Sequence, residues 1–154
     1  MKNRENTKKK SGKTKKKIDL STDAIVARLK KVGADYSASM RRDRIHPVLV
    51  EVYKIYRAAA QQRRAASVKI NLIRRRKLAI GTSLVRALFE TALGKVDRRQ
   101  LRKYKRVFES AVKWKLKSAD LRAAIKAEKG INKAVELWPS QRPEFLRTIS
   151  TKID

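Results

Sequence analysis

Residues 98–117 read RRQLRKYKRVFESAVKWKLK. Leu101, Tyr104, Val107, Phe108, Ala111 and Val112 recur at steps that place them on one side of an α-helix. Asp97 stands where an N-cap carboxylate would meet the first free backbone N–H groups. On the other side Arg99, Lys103, Arg106, Lys113 and Lys117 recur at spacings of four, three, seven and four, and Arg102 widens the stripe. No acid falls on that stripe. A helix over these residues would be ~30 Å long, so its charges could follow several phosphates of a polyanion.

The flanking segments repeat the helical pattern. Gly81-Thr82-Ser83 punctuates the chain, and Ser83 caps LVRALFETAL, which Gly94 closes. Ser118 caps ADLRAAIKAEK, Gly130 stops it, and a short helix follows from Ile131 to Trp138, ended by Pro139. A last turn is expected at Pro143–Ile149. Upstream, Ser21 or Thr22 caps a helix whose apolar face is Ile25, Val26, Leu29 and Val32, with Gly33 as its stop. Residues 34–46 read as loop, with one helical turn as the alternative within it. His46-Pro47 starts a helix that the pattern carries to about Ile80. Its face holds Leu49, Val52, Tyr56, Ala59, Ala66, Ile70, Ile73 and Ile80, with Arg63 and Lys77 interrupting it. Val68–Ile73, VKINLI, is rich in β-branched residues, so a short strand is the alternative there. The fold expected is all-α: an irregular compact helical bundle of five to seven helices over residues 18–154, preceded by a disordered basic arm.

Composition sets the class of partner. The 154 residues carry 42 Lys+Arg against 14 Asp+Glu, a formal net charge of +28. With 42% hydrophobic residues, a chain of this length can still bury a core. The absence of Cys excludes disulfide scaffolds, zinc fingers, thiol catalysis and iron–sulfur sites, and a single His argues against most metal sites. No metal or other cofactor is expected. No apolar run reaches the ~18 residues of a membrane span, and no apolar region follows the cationic N-terminus as in a secretory signal. An intracellular location is expected, in cytoplasm and nucleoid, or in the nucleus of a eukaryote. Such charge calls for a polyanion, nucleic acid first and an anionic membrane a distant second.

Two kinds of basic surface are distinguishable. Residues 1–17, MKNRENTKKKSGKTKKK, hold nine basic residues and one acid, and their Lys8, Lys9, Lys10, Lys15, Lys16 and Lys17 suit diffuse, counterion-releasing attraction. Its SGKT lacks the upstream glycine and strand of a phosphate-binding loop. Arg74, Arg75, Arg76 and Lys77, with Arg57, Arg63 and Arg64 upstream, form the second. Arg57, Arg64 and Arg75 share a face if the helix is continuous, and one cation of the run is expected to reach the core side or meet Glu90 or Glu109. Arginine makes bidentate contacts with phosphates and guanine edges. Most aromatic residues sit at core spacing; Trp114, between two lysines, is the best candidate for base stacking.

Two DNA-binding patterns resemble parts of this sequence. Residues 118–138 have the gross layout of a helix-turn-helix, but their second helix offers only Lys133 as a cation. GTSLVRALFETAL from Gly81 resembles the second-helix start of ribbon-helix-helix proteins, with VKINLI in the place of the strand. The seven residues RRRKLAI between them are too short for that family's intervening helix. Catalysis is not expected. Asp35, Asp43 and Glu51 could hold a metal, yet helix capping and pairing with Arg41, Arg42 and Arg44 explain them as well. The reading is a non-enzymatic nucleic-acid-binding protein, DNA favoured over RNA, with no small-molecule substrate. A protein complex on nucleic acid is a further expected partner. The alternatives are an RNA-binding structural component of a ribonucleoprotein, or a basic adaptor on an acidic protein or membrane surface.

Overall fold

The computed structural model describes residues 18–39 and 45–153. The expected arm, with its six candidate lysines at 8–10 and 15–17, and Arg41, Arg42, Asp43 and Arg44 lie outside the described residues. Eight α-helices follow in order: α1 (Thr22–Ser39), α2 (Ile45–Gln61), α3 (Ala65–Arg76), α4 (Leu84–Leu93), α5 (Arg98–Lys113), α6 (Leu121–Ala127), α7 (Ile131–Leu137) and α8 (Glu144–Ile153). A 3₁₀ turn, Ser118–Asp120, precedes α6. The all-helical class holds, and no strand occurs among the described residues.

Helix α4 lies at the centre. Leu84, Val85, Ala87, Leu88, Phe89 and Thr91 are buried, so the helix is enclosed on most sides. It packs on α1, α2, α3 and α5. Phe89 stacks with Tyr104 of α5 at 4.9 Å and with Phe108 at 5.9 Å, while Tyr53 and Tyr56 of α2 reach Phe108 at 5.3 and 5.8 Å. These rings join three helices into one core. Ser83 caps α4 by accepting from the Arg86 N–H, and Asp97 caps α5 by accepting from the Arg99 N–H, both as the sequence implied.

Helix α1 runs six residues beyond Gly33, so the expected stop and the loop at 34–39 are corrected. Gly33 has another use. A Cβ there would lie 1.7 Å from the Ala92 carbonyl oxygen, so the glycine lets the backbones of α1 and α4 touch.

The long helix expected to Ile80 is also corrected. It breaks after Gln61, and Arg63 takes a left-handed conformation at φ 56°. Arg63 N–H then bonds Ala60 O and Arg64 N–H bonds Ala59 O, a Schellman end. The break lets α3 fold back onto α1, α2 and α4 and bury Val68 and Leu72. A straight helix from His46 would have carried them roughly 33–39 Å from its start. Residues 68–73 are helical rather than strand, because that i, i+4 pair needs the helical period to face the core. Ala66, Ile70 and Ile80, assigned to an apolar face, are exposed.

Three more helices end in the same manner. Lys77, Lys115 and Lys129 adopt φ of 53°, 56° and 65°, each followed by a bond from the next N–H to the carbonyl five residues back. Lys115 therefore ends α5 at Lys113, four residues short of the expected Lys117. The turn buries Leu116, whose carbonyl accepts the Tyr53 hydroxyl at 2.6 Å. Helix α7 then packs on α5, and α6 on α8. The buried Glu128 carboxylate accepts from the Glu144 N–H at 2.7 Å, holding the start of α8.

Candidate nucleic-acid interface

Helix α5 carries seven cations and one acid. Its apolar residues Leu101, Tyr104, Val107, Phe108 and Ala111 are buried in the core, so the cations are forced outward. Among the described residues no ion pair involves any of them. The pairs present are Arg28–Glu51, Arg75–Asp23, Arg86–Glu90 and Lys133–Glu136.

The stripe is not uniform along the helix. Glu109 lies exposed on the outer side, with Arg102, Lys105, Arg106 and Lys113 about it on the helical lattice. The sequence reading placed no acid on the stripe because it centred the face on Arg99 and Lys103. Towards the C-terminal end α7 closes in. Lys113 Nζ donates to the Pro139 carbonyl at 3.0 Å and lies 5.1 Å from the Trp114 ring centre. Trp114 Nε1 donates to the Trp138 carbonyl at 2.7 Å, and Ser110 one turn earlier is buried. Trp114 is thus half-buried and tethered at its polar edge, which removes it as the leading stacking platform.

The uninterrupted positive charge therefore lies on the first two and a half turns of α5, Arg98 to Arg106. There Arg98, Arg99, Arg102, Lys105 and Arg106 are exposed and Lys103 is half-exposed. This end of α5 borders two clefts. One, of about 360 Å³, is lined by Tyr56, Ala65, Ala66, Lys69, Ser83, Leu84, Val85 and Lys105. The other, of about 210 Å³, is lined by Ser83, Val85, Arg86, Arg98, Leu101, Arg102 and Lys105. Ser83, Val85 and Lys105 belong to both, so the clefts adjoin and form a groove between α3, the start of α4 and α5. Burial and the nearby Glu109 charge hold the Tyr56 hydroxyl above the usual tyrosine range, so it stays a neutral hydrogen-bonding group at the groove.

Arg98, Lys105 and Lys69 were missed in the sequence. Arg98 and Lys105 share the helical face of Arg102, a signal that a face centred one position further round would have included. Lys69 joins them only through the fold-back of α3.

The Arg-rich segment is placed differently from the expectation. Arg74, Arg75, Arg76 and Lys77 are all exposed at the end of α3, and none reaches the core, Glu90 or Glu109. Arg75 pairs with Asp23 at 3.0 Å, with both side chains well exposed. The break after Gln61 removes the common face expected for Arg57, Arg64 and Arg75. Arg64 is exposed ahead of α3, while Arg57 is half-buried on α2, its Nε enclosed and without an acceptor. Lys117 is exposed beyond the end of α5.

A separate depression of about 520 Å³ has an apolar floor of Ile45, Leu49, Tyr104, Ile125 and Ile131, with Arg122, Lys126 and Lys129 at its wall. Among the described residues no group of three His, Asp or Glu is placed to hold a metal ion, and no helix is long and apolar enough to cross a membrane. No protein-family model, no curated protein and no solved structure matches this chain.

Proposed function

We propose that this protein binds nucleic acid without catalysis, with duplex DNA the favoured ligand. The observation that carries the reading is the cationic first half of α5, without an ion pair among the described residues and bordering a groove that adds Lys69. Helix α5 is ~24 Å long, and a helix of this kind fits the major groove or lies along the backbone of a duplex. Arg98, Arg102, Lys105 and Arg106 contact phosphates in this reading, with Lys69 on the opposite bank. Arg74 and Arg76 extend the contact at the end of α3. The six arm lysines at positions 8–10 and 15–17 add sequence-independent attraction. The apolar side of α5 is committed to the core, which favours a polyanion over a bilayer as its partner.

Fluorescence anisotropy of nuclease-treated protein, with duplex DNA, single-stranded DNA and structured RNA over a salt series, tests the proposal. Duplex DNA should be retained to the highest salt, with log affinity falling against log salt at a slope of about −5 or steeper. The triple variant Arg98→Glu, Arg102→Glu, Lys105→Glu should flatten that slope by about three with helicity unchanged. Glu109→Gln should tighten binding. An unaltered slope in the triple variant refutes the assignment to α5, and tighter retention of structured RNA would move the protein to the ribonucleoprotein class.

A further inference from the structure

Among the described residues Ile80 is the most exposed large apolar side chain, at 99% of its full accessibility. It contacts nothing that folding could use. Its backbone is nevertheless tightly held. Thr82 N–H and Thr82 Oγ1 both donate to the Ala79 carbonyl, at 3.2 and 2.6 Å, closing a turn with Ile80 and Gly81 at its two corners. Thr82 is itself buried, and Gly81 takes the positive φ, +92°, that the third position of a type II turn needs. On one side the segment is tied by the Leu78 N–H bond to Ile73 O, and on the other Ser83 caps α4. The turn presents a hydrogen-bonded apolar tip to solvent. Ile80 comes three to six residues after Lys77, Arg76 and Arg74, all exposed.

We infer that Ile80 is a wedge that enters between two base pairs of duplex DNA, held there by phosphate contacts from Arg74, Arg76 and Lys77. The inference rests on the nucleic-acid reading above and adds to it a deformation of the ligand. A single branched apolar side chain flanked by cations fits this task. The gap between unstacked base pairs accepts one such side chain, and the phosphates beside it accept the charges. A bilayer anchor would need a broader apolar face. A rigid mount matters because the wedge must push against base stacking, and a floppy loop would yield first. Pyrimidine–purine steps unstack most readily and are the expected points of entry. The duplex would kink there.

The test uses the full chain and a short duplex carrying 2-aminopurine at its pyrimidine–purine steps and a fluorophore pair at its ends. At saturation, confirmed by anisotropy, the unaltered protein should raise 2-aminopurine emission about threefold or more and bring the duplex ends closer. Ile80→Ala should lose both signals while its affinity falls less than about tenfold, because the cations remain. Gly81→Val, which strains the turn, should lower both signals in part. Equal emission and equal end-to-end distance with Ile80→Ala and the unaltered protein would overturn the wedge and leave the α5 interface standing. Failure of the unaltered protein to bind duplex at all would instead remove the nucleic-acid reading itself.

Discussion

At the residue scale, the four left-handed helix ends are the most informative departure from ordinary preference. Glycine is the usual occupant of such a position, since a side chain there costs about 1 kcal/mol or more. Here Arg63, Lys77, Lys115 and Lys129 fill all four. Each sits at the negative end of a helix dipole, which returns part of that cost. Lys115→Gly should therefore raise unfolding stability by about 0.5–1 kcal/mol, since relief of the left-handed strain outweighs the lost dipole contact. Urea unfolding checks this, and a lower midpoint would mean that the lysine stem packs on the turn. Cations in place of glycine at every such end fit a chain that gives up some stability for surface charge.

At the element scale, the crossing of α1 and α4 is decided by one missing side chain. Gly33→Ala would improve intrinsic helix propensity by about 1 kcal/mol. It would also place a methyl group against the backbone carbonyl of Ala92, which cannot rotate away. The steric term wins: the variant should lose about 2 kcal/mol net, measured by thermal or urea unfolding, with α1 pushed off α4. A stability equal to the unaltered protein would show that the two helices separate freely. The same glycine shows where the sequence was readable. The caps at Ser83 and Asp97 and the apolar face of α5 were legible because each depends on residues within one turn of one another. Gly33 looked like a stop because its reason lies in Ala92, 59 positions away. The break at Arg63 was hidden for a related reason. A basic residue gives no local signal for a left-handed end, and only the return of Val68 and Leu72 to the core requires one. For the interface, the charge of α5 was legible and its distribution was not. Lys69 enters the groove, and α7 closes the far end, only once the helices are packed.

At the scale of the whole molecule, one core supports the proposed interface and one titration reports on that core. Burial raises the hydroxyl pKa of Tyr53, Tyr56 and Tyr104 above the ordinary 10.0. The folded state therefore holds their protons more tightly than the unfolded chain. Their contribution to stability is full below about pH 10 and is lost as pH rises beyond it. Three of the four tyrosines should resist ionisation until the helices unfold, so tyrosinate absorbance and helical circular dichroism should change together in alkali. Early tyrosinate absorbance with intact helicity would show that the ring cluster of α2, α4 and α5 is loosely packed.

The cations without an ion pair among the described residues have a consequence for the fold as well as for the proposed binding. With few acids to answer them, the positive groups of α3 and α5 push against one another across the groove, and compaction is opposed by that repulsion. A chain of phosphates laid along the groove would supply the missing opposite charge to α3 and α5 at once. Binding would then brace the helices it touches, and the unbound protein would be the looser of the two states. In the proposed reading, part of what holds this bundle together would be supplied by the polyanion it binds.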